Sequence, residues 1–138
     1  MRVFLDSSAL AKRYIREPGT EEVNELCRNA SEILVSVISV PEIHSALNRT
    51  VRLGKLSKTQ YRQLKHSFLN DVSEATIIAL SEEIITKAIL CLEKTPLKTL
   101  DALHVASALH FGCELFVTAD KAQGRAATAL GLKRKMIC

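Results

Sequence analysis

Asp6, Glu42, Asp101 and Asp120 are the residues whose types and placement could do chemistry, because each falls where a strand ends or a helix begins. In a parallel α/β fold such positions come together at the carboxyl edge of the sheet. Like charges gathered there repel, and burial would protonate some of them unless a cation compensates. A hard divalent ion, Mg²⁺ or Mn²⁺, suits an all-oxygen ligand set, keeps several waters and can share a substrate phosphate with the protein. Such a site hydrolyses phosphodiesters: one ion makes hydroxide available at neutral pH, and a second, typically about 4 Å away, stabilises the leaving oxygen. Whether one or two ions bind is left open. Ser7, Ser8 and Thr118 adjoin the acids, where their hydroxyls could orient carboxylates or hold water; helix capping explains Ser7 or Ser8 equally well.

The elements that must position these residues can be read along the chain. The apolar run from Met1 to Leu5 predicts a strand ending at Asp6, followed by a helix through Arg16. Pro18 and Gly19 break the chain, and Thr20 opens a second helix to about Asn29. Ile33 to Ile38 reads as the next strand, with Ser39 as a cap and Pro41 in the first turn of the helix that carries Glu42 and ends near Gly54. Ser57 caps a helix to about Asn70, Thr76 to Ala79 forms a short strand, and Ser81 caps a helix to Glu93. Only a tight turn at Gly112 and Cys113 separates the helix from Leu100 to Phe111 from the strand Glu114 to Thr118. That helix therefore starts, with Asp101, at the carboxyl edge. Asp120 leaves the same strand before a helix carrying Ala126, Ala127 and Leu130, and Lys133 to Ile137 closes the set. The expected fold is a single three-layer α/β domain over residues 1–138, with a central parallel sheet of about five short strands flanked by helices.

Each candidate has a structural explanation beside the chemical one. An acid in the first turn of a helix is favoured by the macrodipole, which accounts for Glu42 or Asp101 singly and less well for Asp6 and Asp120. Glu21, Glu22, Glu25, Asp71, Glu82 and Glu83 read as ordinary exposed helix acids. His104, one turn past Asp101 in an apolar helix, reads as a hydrogen-bonded core histidine, and His44 points away from Glu42. Tyr14 and Tyr61 read as packing residues, since an aromatic content of 4% offers no stacking platform for bases.

The stretches DSSALAKRY from Asp6 to Tyr14, REPG from Arg16 to Gly19, Glu42, LDALHVASA from Leu100 to Ala108 and VTAD from Val117 to Asp120 resemble, in order, those of PIN-domain nucleases. The likeness is greatest to VapC-type toxins of toxin-antitoxin pairs and spans essentially the whole chain. It implies a PIN-like fold, Mg²⁺- or Mn²⁺-dependent endoribonuclease activity leaving a 5′-phosphate, and metal ligation by Asp6, Glu42, Asp101 and Asp120. It also implies a homodimer and a small cognate antitoxin that would insert a segment above the acids. After Asp120 the chain departs from many such nucleases: where they carry an aromatic or leucine and a basic pair, it has Lys121, Ala122, Gln123, Gly124 and Arg125. Gly124 weakens the start of that helix.

A length of 138 residues and 47% hydrophobic content support one core without repeats. No apolar run approaches membrane-spanning length and no targeting leader is expected, so the predicted location is the cytoplasm. Cys27, Cys91, Cys113 and Cys138 are scattered without the close pairs of a zinc or redox motif, and read as reduced thiols. The net charge of +4 must be carried away from the acidic centre. Arg49, Arg52, Lys55, Lys58, Arg62 and Lys65 form one basic series, and Lys12, Arg13 and Arg16 another. Either series could hold RNA phosphates or be a solvated helix face. Covalent catalysis has no nucleophile elbow, and dinucleotide binding has no glycine-rich fingerprint. A receiver domain would need an acid after the strand from Thr76, where none stands. The competing reading is a PIN-fold module without catalysis that binds RNA or a partner protein.

Overall fold

The computed structural model describes residues 1–138. Its elements run β1 (Arg2–Leu5), α1 (Ser7–Ala11), α2 (Thr20–Asn29), β2 (Glu32–Ser36), α3 (Ser39–Arg52), α4 (Lys58–Glu74), β3 (Thr76–Ile78), α5 (Glu82–Lys94), α6 (Thr99–Phe111), β4 (Leu115–Thr118), α7 (Lys121–Ala129) and β5 (Arg134–Met136). All strand pairs are parallel, in the order β3-β2-β1-β4-β5. The chain lays β2 and β3 on one side of β1 and then returns to place β4 on the other. The topological switch point is therefore the crevice between the carboxyl ends of β1 and β4, where open α/β sheets bind ligands.

Alternation along the strands feeds two cores, one on each face of the sheet. Phe4, Leu34, Ile78 and Phe116 face α5, α6 and α7, and the rings of Phe4 and Phe116 stack at 5.4 Å. Val3, Leu5, Val35, Leu115 and Val117 face the other way, toward α1, α2, α3 and α4. The three-layer α/β architecture expected from the sequence is the one observed. No helix is long and apolar enough to cross a membrane.

Local signals account for most boundaries. Ser57 caps α4 with a full capping box to Gln60, and Ser81 caps α5 through the backbone N–H of Ile84. Gly112 ends α6 at φ 81°, a conformation that glycine takes without cost. Several boundaries differ from expectation; β2, for one, ends at Ser36 rather than Ile38, which instead precedes α3. Helix α1 stops at Ala11 rather than Arg16, because Lys12, Arg13 and Tyr14 bond three residues back, and the tightened turn ends the helix. Helix α4 runs to Glu74, past the expected Asn70, because Phe68 and Val72 continue its apolar face into the core. Ser39 does not cap α3: it lies inside the helix after Ile38, and its hydroxyl turns to Ser7. Gly124 has a packing role, since a Cβ there would run into Met136 Sδ. A bare backbone lets α7 close on β5 at the cost of helix propensity.

The four cysteines are unbridged. Tyr14 is buried edge-on against Phe68, and His44 bonds back to Val40 O, away from Glu42. Asp71 is more than an exposed helix acid. It accepts a 2.6 Å hydrogen bond from Tyr14 and lies 3.9 Å from Arg13, tying α4 to the turn after α1.

Candidate active site

The four acids reach the carboxyl edge by the routes their local sequences dictate. Asp6 follows β1, Glu42 lies in the first turn of α3 beyond β2, Asp101 lies in the first turn of α6, and Asp120 follows β4. Glu42 and Asp101 lie in first helical turns, as the macrodipole argument has them, while N-capping, an explanation offered for Ser7 or Ser8, falls to Asp6 and Asp120. Asp6 and Asp120 are the true N-caps, accepting from Ala9 N and Gln123 N, whereas Glu42 and Asp101 cap nothing. Extended backbone at Asp6 and Asp120 turns each carboxylate back over the following helix, so capping and a place at the edge are compatible.

Asp6 is the buried centre. Ser8 Oγ donates to its Oδ1 at 2.7 Å, Ala9 N donates to the same oxygen at 3.0 Å, and Thr118 Oγ1 donates to Oδ2. Burial pushes its carboxyl above the usual range, against the lowering pull of these hydrogen bonds. Thr118 also accepts from Asp120 N at 3.0 Å, and Ser8 accepts from Ala119 N, so two hydroxyls lock the ends of β1 and β4 together. Three bonds to a carboxylate with about four lone pairs leave one position for a cation.

Glu42 is held by a second network. Ser7 Oγ and His104 Nε2 both donate to its Oε1 at 2.7 Å, and Ser7 shares a 2.9 Å bond with Ser39. Burial alone would raise the Glu42 carboxyl, but the hydrogen bonds from His104 and Ser7 and the electrostatic pull of His104 outweigh it and hold the group below the usual range. His104 is a buried, hydrogen-bonded histidine as expected, yet its partner is a site acid. Its Nδ1 is buried without a hydrogen-bond partner. His104 and Ser39 are the site contributors that sequence reasoning missed. The visible signal was the turn of helix separating His104 from Asp101.

Asp101 accepts no hydrogen bond. Its carboxyl is raised first by burial and then by the charges of Asp120, Asp6 and Glu42, with His104 opposing. Asp101 thus lies within electrostatic reach of the other three acids. None of them pairs with a lysine or arginine. Each keeps an acceptor position free: the spare lone pair of Asp6, Oε2 of Glu42, both oxygens of Asp101 and Oδ2 of Asp120. An uncompensated all-oxygen set with open positions is the donor chemistry of a hard divalent ion. As the side chains stand, no three of them close on one point tightly enough to grip an ion. A cleft of about 360 Å³ lies elsewhere, beside Tyr14, Cys27 and Asp71, and contains none of the four acids.

Comparisons with known proteins follow this geometry. The fold is similar to a solved VapBC2 structure from Rickettsia felis, bound to a DNA fragment from its promoter, at a TM-score of 0.72 and 16% identity over 100% of both chains. It is also similar to DNA-bound VapBC from Salmonella typhimurium, at 0.72 and 12% identity over 100% of this chain and 99% of that one. Mycobacterium tuberculosis VapC20, a sarcin-ricin loop cleaving toxin, matches at 0.70 and 14% identity over 94% and 95% of the two chains. No curated protein matches the sequence. The pattern of the PIN domain family matches residues 3–129, which include all four acids and every strand up to β4, and on that match the chain belongs to the PIN domain family.

Proposed function

We propose that the chain is a divalent-metal-dependent endoribonuclease acting as one domain over residues 1–138, in which Asp6, Glu42, Asp101 and Asp120 hold Mg²⁺ or Mn²⁺. The observation that carries this reading is a set of four acids at the switch point, each with an open acceptor position and none with a lysine or arginine partner. When bound, a divalent cation supplies Lewis acidity and positive charge to the phosphodiester being cut. The chain's own residues do the positioning. Ser8 and Thr118 orient Asp6, while Ser7 and His104 occupy one oxygen of Glu42 and leave the other as its ligand. Hydrolysis by water, leaving a 5′-phosphate, is the outcome the PIN-nuclease likeness implies.

The fold's likeness to VapBC toxin-antitoxin structures supports a role as the toxin of such a pair, in the cytoplasm, with a small cognate antitoxin as partner. A homodimer is supported by Ile85, Ile89 and Leu92, which line the solvent side of α5 at helical spacing.

The test is cleavage of total RNA by purified, partner-free protein in Mn²⁺ or Mg²⁺, with a chelator control and the variant Asp101→Asn. Asp101 is the informative site because no hydrogen bond depends on it, so the variant keeps the fold. Expected is metal-dependent cleavage that falls about 100-fold or more in Asp101→Asn. Folded protein that neither cleaves RNA nor binds Mn²⁺ in calorimetry points instead to a PIN-fold module that only binds.

A further inference from the structure

One acid-free segment concentrates positive charge. From Ile43 to Asn70 there is no aspartate or glutamate, and the segment carries Arg49, Arg52, Lys55, Lys58, Arg62 and Lys65. The chain has 19 Lys and Arg against 15 Asp and Glu; without those six cations it has 13 against 15, so the remainder is net −2. The segment is the α3–α4 hairpin, and all six side chains are exposed. None meets a carboxylate, although Arg2, Lys12, Arg13, Arg16 and Lys135 each find one elsewhere.

The hairpin is also connected to the acids. Helix α3 starts at the acidic crevice with Glu42, and Arg49, seven residues on, falls on the same stripe of the helix, about 10 Å along its axis. Lys58, Arg62 and Lys65 follow at helical spacing on α4. The first basic series, by contrast, is spent in the fold: Lys12 pairs with Glu17, Arg13 with Asp71 and Arg16 with Glu21.

We infer that the α3–α4 hairpin is an RNA-backbone-binding arm, which grips phosphates flanking the one at the acids through its six unpaired cations. The inference rests on the nuclease reading for the identity of the polyanion. An anionic membrane fits less well, because the apolar face of α4, with Tyr61, Leu64, Phe68 and Val72, is used against the core, and the exposed Leu53 and Leu69 stand singly rather than as a continuous apolar face. Contacts of this kind are indifferent to sequence and release counterions, so they are read in the salt dependence of binding.

The experiment measures binding of a fluorescein-labelled, mixed-sequence single-stranded RNA by anisotropy, in chelator and over a series of salt concentrations. It compares wild type, the arm variant Arg49→Gln/Arg52→Gln/Arg62→Gln, and a charge-matched control, Lys87→Gln/Lys94→Gln/Lys133→Gln, with Mn²⁺-dependent cleavage followed in parallel. The arm variant is expected to bind about tenfold or more weakly near physiological salt, with a log K against log salt slope shallower by about 2; the control keeps the wild-type slope. An arm variant with wild-type affinity and slope overturns the arm, as does equal loss in the control, wild type that does not bind RNA, or preference for anionic vesicles over RNA. Wild type that binds through the arm but never cleaves removes the nuclease reading and leaves the arm standing. Cleaving protein whose arm variant binds normally does the reverse.

Discussion

The imidazole of His104 reaches the acidic crevice from inside the core, where its ring packs edge-on against Phe4 at 6.2 Å. It shares with Ser7 the task of fixing one oxygen of Glu42. His104→Phe keeps an aromatic of similar size beside Phe4 and loses no bond at Nδ1, which has none. The variant should therefore fold, while its Mn²⁺ affinity by calorimetry falls about 10- to 100-fold, the usual loss for an outer-shell partner. Wild-type affinity would remove His104 from the positioning network. The raised carboxyls of Asp6 and Asp101 have their own signature in metal-free protein. The fold holds these protons more tightly than the unfolded chain does, so stability falls as pH rises from the ordinary carboxylate range through the raised values, then levels off. Glu42, held low, acts oppositely, and its contribution is lost as pH falls through its lowered value. Asp101→Asn should flatten the decline in melting temperature on the alkaline side of the ordinary carboxylate range, as read by calorimetric scans in chelator. An unchanged profile would mean that Asp101 titrates normally.

At the scale of elements, the carboxyl edge depends on how tightly the helices close on the strands. Gly19 opens α2 at φ 97°, and a Cβ there would meet Ile137 Cγ2 at 2.5 Å and the Cys138 carbonyl oxygen at 2.7 Å. Both the dihedral angle and the space demand glycine. Gly19→Ala should lose about 2–4 kcal/mol, from left-handed backbone strain and overpacking together, measured by urea unfolding. A loss under about 1 kcal/mol would show that the chain end moves aside freely. Helix α6 does double work: Ala102, Val105, Ala106 and Ala108 bury it in the core, and its first turn presents Asp101. Its nearly uninterrupted burial holds that acid at the crevice without a hydrogen bond to its side chain.

For the whole molecule, α5 shows how one helix can serve two surfaces. Ile84, Ala88 and Cys91 pack into the core, while Ile85, Ile89 and Leu92 are exposed on the other side. In the proposed dimer this outer stripe is covered by a second copy. Ile85→Lys/Ile89→Lys should shift wild-type dimer to folded monomer in sedimentation velocity, since the inner face is untouched. A wild-type monomer, or a dimer that survives both changes, would move the interface off α5. Cationic hairpin and acidic crevice are likewise separated along α3, which keeps the basic side chains from neutralising the acids.

What the sequence determined by itself is what local chemistry decides. An apolar run closing in Asp6, the break at Pro18 and Gly19, the caps Ser57 and Ser81 and the terminator Gly112 each act through neighbours a few residues away, and the elements they delimit are those observed. Because parallel strands need helical crossovers, those elements also imply one edge rich in acids. Tertiary structure decided the partners. Residues 112 apart in the chain, Asp6 and Thr118, are bonded only because β4 is laid beside β1, and Glu42 meets His104 across 62 residues. The same long-range pairing turned Ser39 from a cap into a partner of Ser7. Caps and periodicity are encoded in a few adjacent residues, whereas strand order and side-chain partners arise only when distant segments pack. The kinds of residue in this crevice were therefore legible in advance, and the hydrogen bonds that orient them were not.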